Sequence, residues 1–182
     1  MKVLAITGES GVGKTHISKI LSKGKEFNLI KSYTTRKQRK EEKNNSDHIF
    51  VNQTTIDNIY NHYDIVASST INDTLYWSTR EQFKENSINV YVVDSVAYEE
   101  LTYTTWDVKL VFVHTENPTR ENKIHIPVGI FDYVDFYFDN NDHHNTFRTI
   151  AKLIKKMKNQ WSWQVWVLWA SNKHTDSIYE RF

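Results

Sequence analysis

The chain has 182 residues, a formal net charge of +1 and no cysteine, so it can bury its own core and has neither disulfides nor cysteine-bound zinc. The near-zero charge excludes a general attraction to nucleic acid, and the strand-sized apolar runs exclude a membrane-spanning helix. We therefore expect one domain over residues 1–182 that works in the cytoplasm, with neither nucleic acid nor membrane as a partner.

In chain order, short apolar runs alternate with segments whose apolar residues recur at helical spacing. We predict strands at residues 2–7, 27–33, 48–52, 89–94, 109–114 and 131–138, and a hairpin at 65–77 that turns at Asn72-Asp73. Helices are predicted at residues 14–23, 55–63, 79–85, 96–103 and 145–161. Apolar strands between helices are typical of an α/β fold with a mainly parallel sheet.

The segment GESGVGKT holds three of the five glycines and matches the phosphate-binding pattern G-x-x-x-x-G-K-[ST]. It follows an apolar strand and opens a helical pattern, which is the context that this motif requires. Bare backbone lets successive N–H groups point at phosphate, and the helix N-terminus adds partial positive charge. The cofactor-binding positions are therefore Gly8, Glu9, Ser10, Gly11, Val12, Gly13, Lys14 and Thr15.

The last two residues of this loop indicate ATP and Mg²⁺ as cofactors. Lys14 would bridge the β- and γ-phosphates, and the hydroxyl of Thr15 would ligate Mg²⁺. The alternative is a glycine-rich turn that binds nothing, but such a turn has no use for both residues.

The segment KSYTTRKQR, followed by DHIFV, resembles the nucleoside-monophosphate-binding segment of guanylate kinases. The family has a serine, a Thr-Thr-Arg, a second arginine three residues on, and an Asp-Tyr before a Phe-Val strand. The resemblance extends through YWST at 76–79, NVYVVD at 89–94 and FDYV at 131–134. The matching positions are Ser32, Thr34, Thr35, Arg36, Arg39, Asp47, His48, Phe50 and Val51.

This resemblance implies a P-loop three-layer sandwich with a mainly parallel sheet and a small mixed-strand insertion, at residues 32–80, that binds the acceptor. It implies transfer of the γ-phosphoryl of ATP to a guanylate-like or other nucleoside monophosphate. Independently of the family, Arg36 and Arg39 can grip a dianionic phosphate, and Ser32 and His48 can add hydrogen bonds. A solvated basic loop is the alternative for residues 37–43.

Asp94 ends the strand predicted at 89–94. It resembles the strand-terminal Asp that the family uses near the acceptor base or the Mg²⁺ shell, so we expect it beside the reacting groups. The alternative is an N-cap of the following helix, and both roles can hold together.

Two departures from the family concern the acceptor. His48 stands where the family has Tyr, so the charge at that phosphate contact depends on pH. The family glutamate that reads guanine is missing from residues 67–73, where Ser68 is nearest. Because a site built to pair polar groups discriminates strongly, this loss opens the site to thymine, uracil or a modified pyrimidine. Trp77 either stacks on the base or belongs to the core.

The third departure is the lid. Residues 115–130, sixteen in number, stand where the family has a helical lid with several arginines. Arg120 is the only arginine there and would stabilise charge on the transferring phosphoryl group. Arg148 is a second candidate, with a surface residue as its alternative. The short lid leaves open a binding module that has lost catalysis, and a P-loop enzyme with another acceptor, including water.

The end of the chain is rich in tryptophan, with four of the six at residues 161–169. Such a strip either covers the sheet or forms an interface, and a homodimer is the functional alternative. The eight histidines have no metal-binding spacing, and His143-His144 are adjacent, so Mg²⁺ is the metal we predict. Abundant Asn, Ile, Lys and Tyr suit an AT-rich viral genome, and hence the cytoplasm of a virus-infected bacterial cell.

Overall fold

The computed structural model describes residues 1–39, 48–119, 128–141 and 146–160. Two sheets organise this part of the chain, one with five strands and one with four. Several sequence predictions fall outside it: Asp47, Arg120, His143, His144 and the tryptophan-rich tail at 161–169.

The larger sheet is parallel throughout. Its strands are β1 (Lys2–Gly8), β2 (Phe27–Ile30), β7 (Ile88–Val92), β8 (Asp107–His114) and β9 (Phe136–Asp139), in the order β2-β7-β1-β8-β9. The helices that accompany it are α1 (Lys14–Leu21), α3 (Ser95–Thr102) and α4 (Thr146–Gln160). The predicted α/β fold is therefore confirmed, and none of the described helices is long and apolar enough to cross a membrane.

The central strand β1 is apolar without interruption because both of its faces are buried. Alternate side chains of a strand point to opposite faces. Leu4 and Ile6 belong to a core with α1 and α4, whereas Val3 and Ala5 belong to a core with α3. Because the strands are parallel, their carboxyl ends share one edge, so the loops after β1, β7 and β9 meet there.

The smaller sheet is mixed and carries the predicted acceptor segment. Its strands are β3 (Ser32–Thr34), β4 (His48–Phe50), β5 (Ile65–Ile71) and β6 (Thr74–Thr79), in the order β4-β3-β6-β5, and helix α2 (Gln53–His62) follows β4. β3 and β4 are parallel, and the other pairs are antiparallel. The hairpin turns at Asn72 (φ 47°) and Asp73 (φ 57°), residue types that tolerate this left-handed conformation, so that prediction is confirmed.

Three predicted elements differ from the structure. The strand expected at 27–33 is two strands, because the chain leaves β7 after Ile30 and joins β6 from Tyr33 onwards. The strand expected at 131–138 is a 3₁₀ helix, Val128–Tyr133, and then β9. Just before β9, the carboxylate of Asp135 accepts from the Leu110 N–H (2.8 Å), so a side chain replaces the backbone carbonyl as the partner of that N–H.

The helix expected at 79–85 is a single 3₁₀ turn, Arg80–Gln82. Thr79 and Gln82 form a capping box around it. The side-chain amide of Gln82 also donates to the carbonyl of Lys31 (2.7 Å), the residue that links β2 of the larger sheet to β3 of the smaller one. The turn ends at Phe83, whose backbone is extended again.

Candidate active site

The loop between β1 and α1 has the conformation that its glycines predict. Gly8, Gly11 and Gly13 have φ angles of 144°, 81° and 98°, which L side chains rarely adopt. A Cβ on Gly8 would lie 2.2 Å from the Val113 carbonyl oxygen. A Cβ on Gly13 would lie 2.5 Å from the side-chain nitrogen of Asn140. The tight backbone therefore tolerates only glycine at both ends of the loop.

Lys14 lies inside this loop. Its ammonium donates to the carbonyls of Gly8 (2.8 Å) and Glu9 (2.6 Å). Burial lowers the pKa of Lys14 to about 8, against a smaller opposing effect of the Glu9 carboxylate. Thr15 is exposed on the first turn of α1. A largely buried cation, a bare backbone and an exposed hydroxyl at a helix N-terminus fit a polyphosphate with Mg²⁺.

Two neighbouring asparagines follow β9, and sequence reasoning missed both; the first supports the phosphate loop and the second binds the chain that follows β8. The side chain of Asn140, only 2% exposed, donates to the Val12 carbonyl (2.8 Å). The side-chain oxygen of Asn141 accepts from the Thr115 hydroxyl (3.1 Å) and the Glu116 N–H (2.6 Å). A polar pair directly after a parallel strand was the available signal, since such residues lie at the edge that carries the phosphate loop.

One face of the small sheet collects the acceptor candidates. Residues paired directly across neighbouring strands share a face. The strand pairing joins Ser32 to His48, and Thr34 to both Phe50 and Tyr76. The ring of His48 lies 5.5 Å from that of Tyr76, edge to face. We call this side the acceptor face; it includes Ser32, Thr34, His48, Phe50, Ala67, Ser69, Ile71, Thr74, Tyr76 and Ser78.

The first of the two predicted arginines lies beside the acceptor face. The guanidinium carbon of Arg36 is 5.2 Å from the centre of the Phe50 ring, a cation–π distance. The Arg36 N–H donates to the hydroxyl of Thr34 (3.2 Å), which fixes the chain where it leaves β3. Arg39 is exposed three residues later, and its phosphate contact stays a prediction.

Asp94 follows β7 at the edge that carries the phosphate loop. The Val93 N–H donates to the Ile6 carbonyl (3.0 Å), which ties this stretch to the end of β1. One carboxylate oxygen of Asp94 accepts from the Ala97 N–H (2.9 Å), so Asp94 is the N-cap of α3. The capping alternative is thus observed, and a second role beside the phosphates stays a prediction.

Comparison with known proteins agrees with this architecture. A family model described as guanylate kinase matches residues 1–129. The chain belongs to the guanylate kinase family. A curated guanylate kinase of Nitrosomonas europaea is 31% identical over 84 residues, which cover 46% of this chain and 42% of that relative. The crystal structure of guanylate kinase from Anaplasma phagocytophilum shares the fold with a TM-score of 0.66 at 14% identity, covering 90% of this chain and 88% of that one.

Two of the base-binding residues predicted from the family resemblance lie on the wrong face. Ser68 pairs with Trp77, and Trp77 pairs with Tyr33, so all three point away from the acceptor face. The Trp77 side chain is 0% exposed and its ring is stacked on Tyr33 (5.5 Å between centroids), which leaves no surface for a base. Ser68 bonds the Glu100 carboxylate of α3 through its N–H and its hydroxyl. The residues of β5 and β6 that share the acceptor face are Ala67, Ser69, Ile71, Thr74, Tyr76 and Ser78.

The segment predicted to be a short lid, residues 115–130, begins next to the phosphate loop. The N–H and the hydroxyl of Thr119 both approach the Gly11 carbonyl at 3.2 Å. Arg120, the residue after it, lies outside the described residues, and its role stays a prediction. Arg148, the second candidate, is exposed on α4.

The buried hydrogen bond of Asn140 predicts an effect on the loop. Asn140→Ala leaves the Val12 carbonyl without this donor, which we expect to lower the free energy of unfolding by about 1–3 kcal/mol and to weaken ATP binding. Urea denaturation and calorimetric ATP titration measure the two effects. Asn141→Ala, at an exposed position, is the control for the loop, and equal ATP affinities of the two variants would contradict the assignment.

The lowered pKa of Lys14 predicts a pH dependence. Phosphate binds the charged ammonium, so ATP affinity should fall as the pH rises above about 8, by up to about tenfold per pH unit. For the ligand-free chain, the contribution of Lys14 to the free energy of unfolding changes with pH in the opposite direction. Because the pKa in the folded chain lies below the usual lysine value of 10.5, the unfolded chain binds more protons from about pH 8 to 10.5, so Lys14 makes the free energy of unfolding rise with pH in that range. Calorimetric titration from pH 7 to 9 tests the first effect, and a constant affinity would refute it.

Proposed function

We propose that the chain is an ATP-dependent nucleoside-monophosphate kinase that uses Mg²⁺. The observation that carries this proposal is the phosphate loop. Its three glycines have positive φ angles, and the Lys14 ammonium lies inside it. Membership of the guanylate kinase family supports a nucleoside monophosphate as acceptor. A guanylate-like nucleoside monophosphate is one option for the acceptor.

The residues have separate tasks in this proposal. Lys14 neutralises phosphate charge in the loop, and Thr15 offers its hydroxyl to Mg²⁺, which would offset charge on the β- and γ-phosphates. Arg36 binds the acceptor phosphate as a planar two-donor group, with Arg39 as its proposed partner. Asp94 stands at the same sheet edge, and Arg120 is the proposed cation for the transferring phosphoryl group.

Positioning supplies most of the catalysis in such a site. Holding two reactants in line removes the entropy of their encounter, which is worth several kcal/mol of barrier. The rings of His48 and Tyr76 are in edge-to-face contact on the acceptor face. The ring N–H of His48 and the hydroxyl of Tyr76 can donate to the acceptor phosphate. Tyr76 was not among the residues predicted from sequence, although it lies in the YWST segment.

A coupled assay across ribo- and deoxynucleoside monophosphates tests the proposal. We expect Mg²⁺-dependent ADP formation that requires one of these acceptors. ADP formation without any acceptor would favour hydrolysis, and an unbiased acceptor screen would then identify the substrate.

The short lid favours a second candidate, a guanylate-kinase-like binding module without catalysis. Residues 115–130 carry one arginine where the family has several. The retained Lys14 and Thr15 speak against it, because a module without nucleotide chemistry has no need of them. Absence of ATP binding in the presence of Mg²⁺ would support this second candidate.

A further inference from the structure

The inner end of the acceptor face is lined by hydroxyl groups. Ser32 and Ser69 are 6% and 7% exposed, and Ser78 is 0% exposed. Tyr91 of β7 faces them from the larger sheet, with its hydroxyl 3.4 Å from that of Ser32. Burial raises the pKa of Tyr91, so this phenol keeps its proton at neutral pH and can donate. Each of these groups can both donate and accept.

No carboxylate lies on this face. The four strands of the small sheet, all described by the structure, contain neither Asp nor Glu. Three carboxylates lie on or next to α3, and each accepts a hydrogen bond from a group outside the acceptor face, while Asp94 and Glu100 lie near enough to Tyr91 to raise its pKa. Asp94 caps the helix, Glu99 accepts from the Tyr103 hydroxyl (2.8 Å), and Glu100 binds Ser68 at the far side of β5.

These groups suit some bases better than others. Guanine presents two neighbouring N–H donors, which one carboxylate satisfies with its two oxygens, whereas two separate hydroxyls would both have to accept side by side. Thymine and uracil present one N–H donor between two carbonyl acceptors, a pattern that hydroxyls able to donate and accept can complete. The buried phenol of Tyr91 also occupies space next to Ser32, which favours the smaller, single-ring base.

We propose that the acceptor is a pyrimidine nucleoside monophosphate carrying a thymine or uracil base, read by the hydroxyls of Ser32 and Ser69, the two serines of this group that are not fully buried. This inference rests on the proposed function, since it concerns the acceptor of that same site. Burying an unmatched guanine N–H costs more than the hydroxyls return, so selectivity against guanine of at least about tenfold is expected.

The experiment measures kcat/KM and calorimetric binding for dTMP, UMP, GMP and AMP with the full chain and Mg²⁺. A non-hydrolysable ATP analogue accompanies the binding measurement, so acceptor choice can be determined even if no phosphoryl transfer occurs. Preference for dTMP or UMP by at least about tenfold is the expected result. Preference for GMP or AMP overturns this inference and leaves the kinase proposal intact. Binding of none of the four overturns both, and binding without turnover overturns the kinase proposal alone.

A pair of variants separates the acceptor face from the rest of the strand. Ser69→Glu adds a carboxylate to that face and should shift the preference towards GMP. Thr70→Glu adds the same charge to the next residue of β5, which is exposed and points to the opposite side, and should leave the preference unchanged. Circular dichroism checks that both fold. If Ser69→Glu fails to fold, the preference of the unmodified chain decides alone, and equal shifts in both variants contradict the assigned face.

Discussion

Replacement of Lys14 by alanine should abolish ATP turnover, with a loss of at least about a thousandfold in kcat/KM. The reason is the position of the ammonium, which lies within the phosphate loop and hydrogen bonds two of its carbonyls. Alanine removes the charge that offsets the β- and γ-phosphates and leaves those carbonyls facing the anion. The coupled assay measures turnover, and calorimetric titration measures ATP affinity.

Lys19 offers a matched control on the same helix. It lies in the last turn of α1 and is exposed, so Lys19→Ala removes an equal charge without touching the loop. We expect near-native turnover from that variant. Native turnover by Lys14→Ala would remove the loop from the catalytic site, and with it the basis of the kinase proposal.

Replacement of Arg36 by alanine should act on the acceptor and spare ATP. We expect the acceptor KM to rise about 10- to 100-fold, while the ATP KM changes less than about twofold. Arg36 lies over Phe50 at the acceptor face, on a different sheet from the phosphate loop. Steady-state kinetics with each substrate varied in turn measure the two constants.

Two further variants make this result specific. Arg36→Lys keeps the charge but loses the planar pair of donors, so it should recover only part of the acceptor affinity. Arg80 also lies over an aromatic ring, Trp106, at 5.7 Å, but outside the acceptor face. Arg80→Ala should leave both constants unchanged. Equal effects of Arg36→Ala on ATP and acceptor would show that Arg36 does not have the assigned role.

The part of the site that sequence predicts well is local in the chain. The phosphate loop needs only eight consecutive residues, and each glycine has a backbone reason that can be deduced without the fold. The same holds for the turn at Asn72-Asp73 and the cap at Asp94. The family resemblance singled out Arg36, which lies two residues after β3 and beside the Phe50 ring, while its contact with the acceptor phosphate stays a prediction.

The part that sequence does not predict depends on pairing between distant segments. A strand alternates its faces, so an error of one residue moves a side chain to the other side of the sheet. The prediction of Ser68 rather than Ser69 is such an error, and Val66 adds an irregularity in the pairing of β5 with β6. Asn140 is another case, because its contact with Val12 spans 128 residues.

The contact between Asn140 and the phosphate loop limits how far the chain can be shortened. The family model ends at residue 129, and a truncated fragment of that length would keep every residue of the ATP-binding motif. It would lose β9, the Asn140 donor and helix α4, whose Ile150, Leu153 and Ile154 fill the core beside α1. The fragment would contain the whole phosphate loop but lack the residues that hold the loop in place. We therefore expect the smallest nucleotide-binding fragment of this protein to extend well beyond the region by which its family is identified.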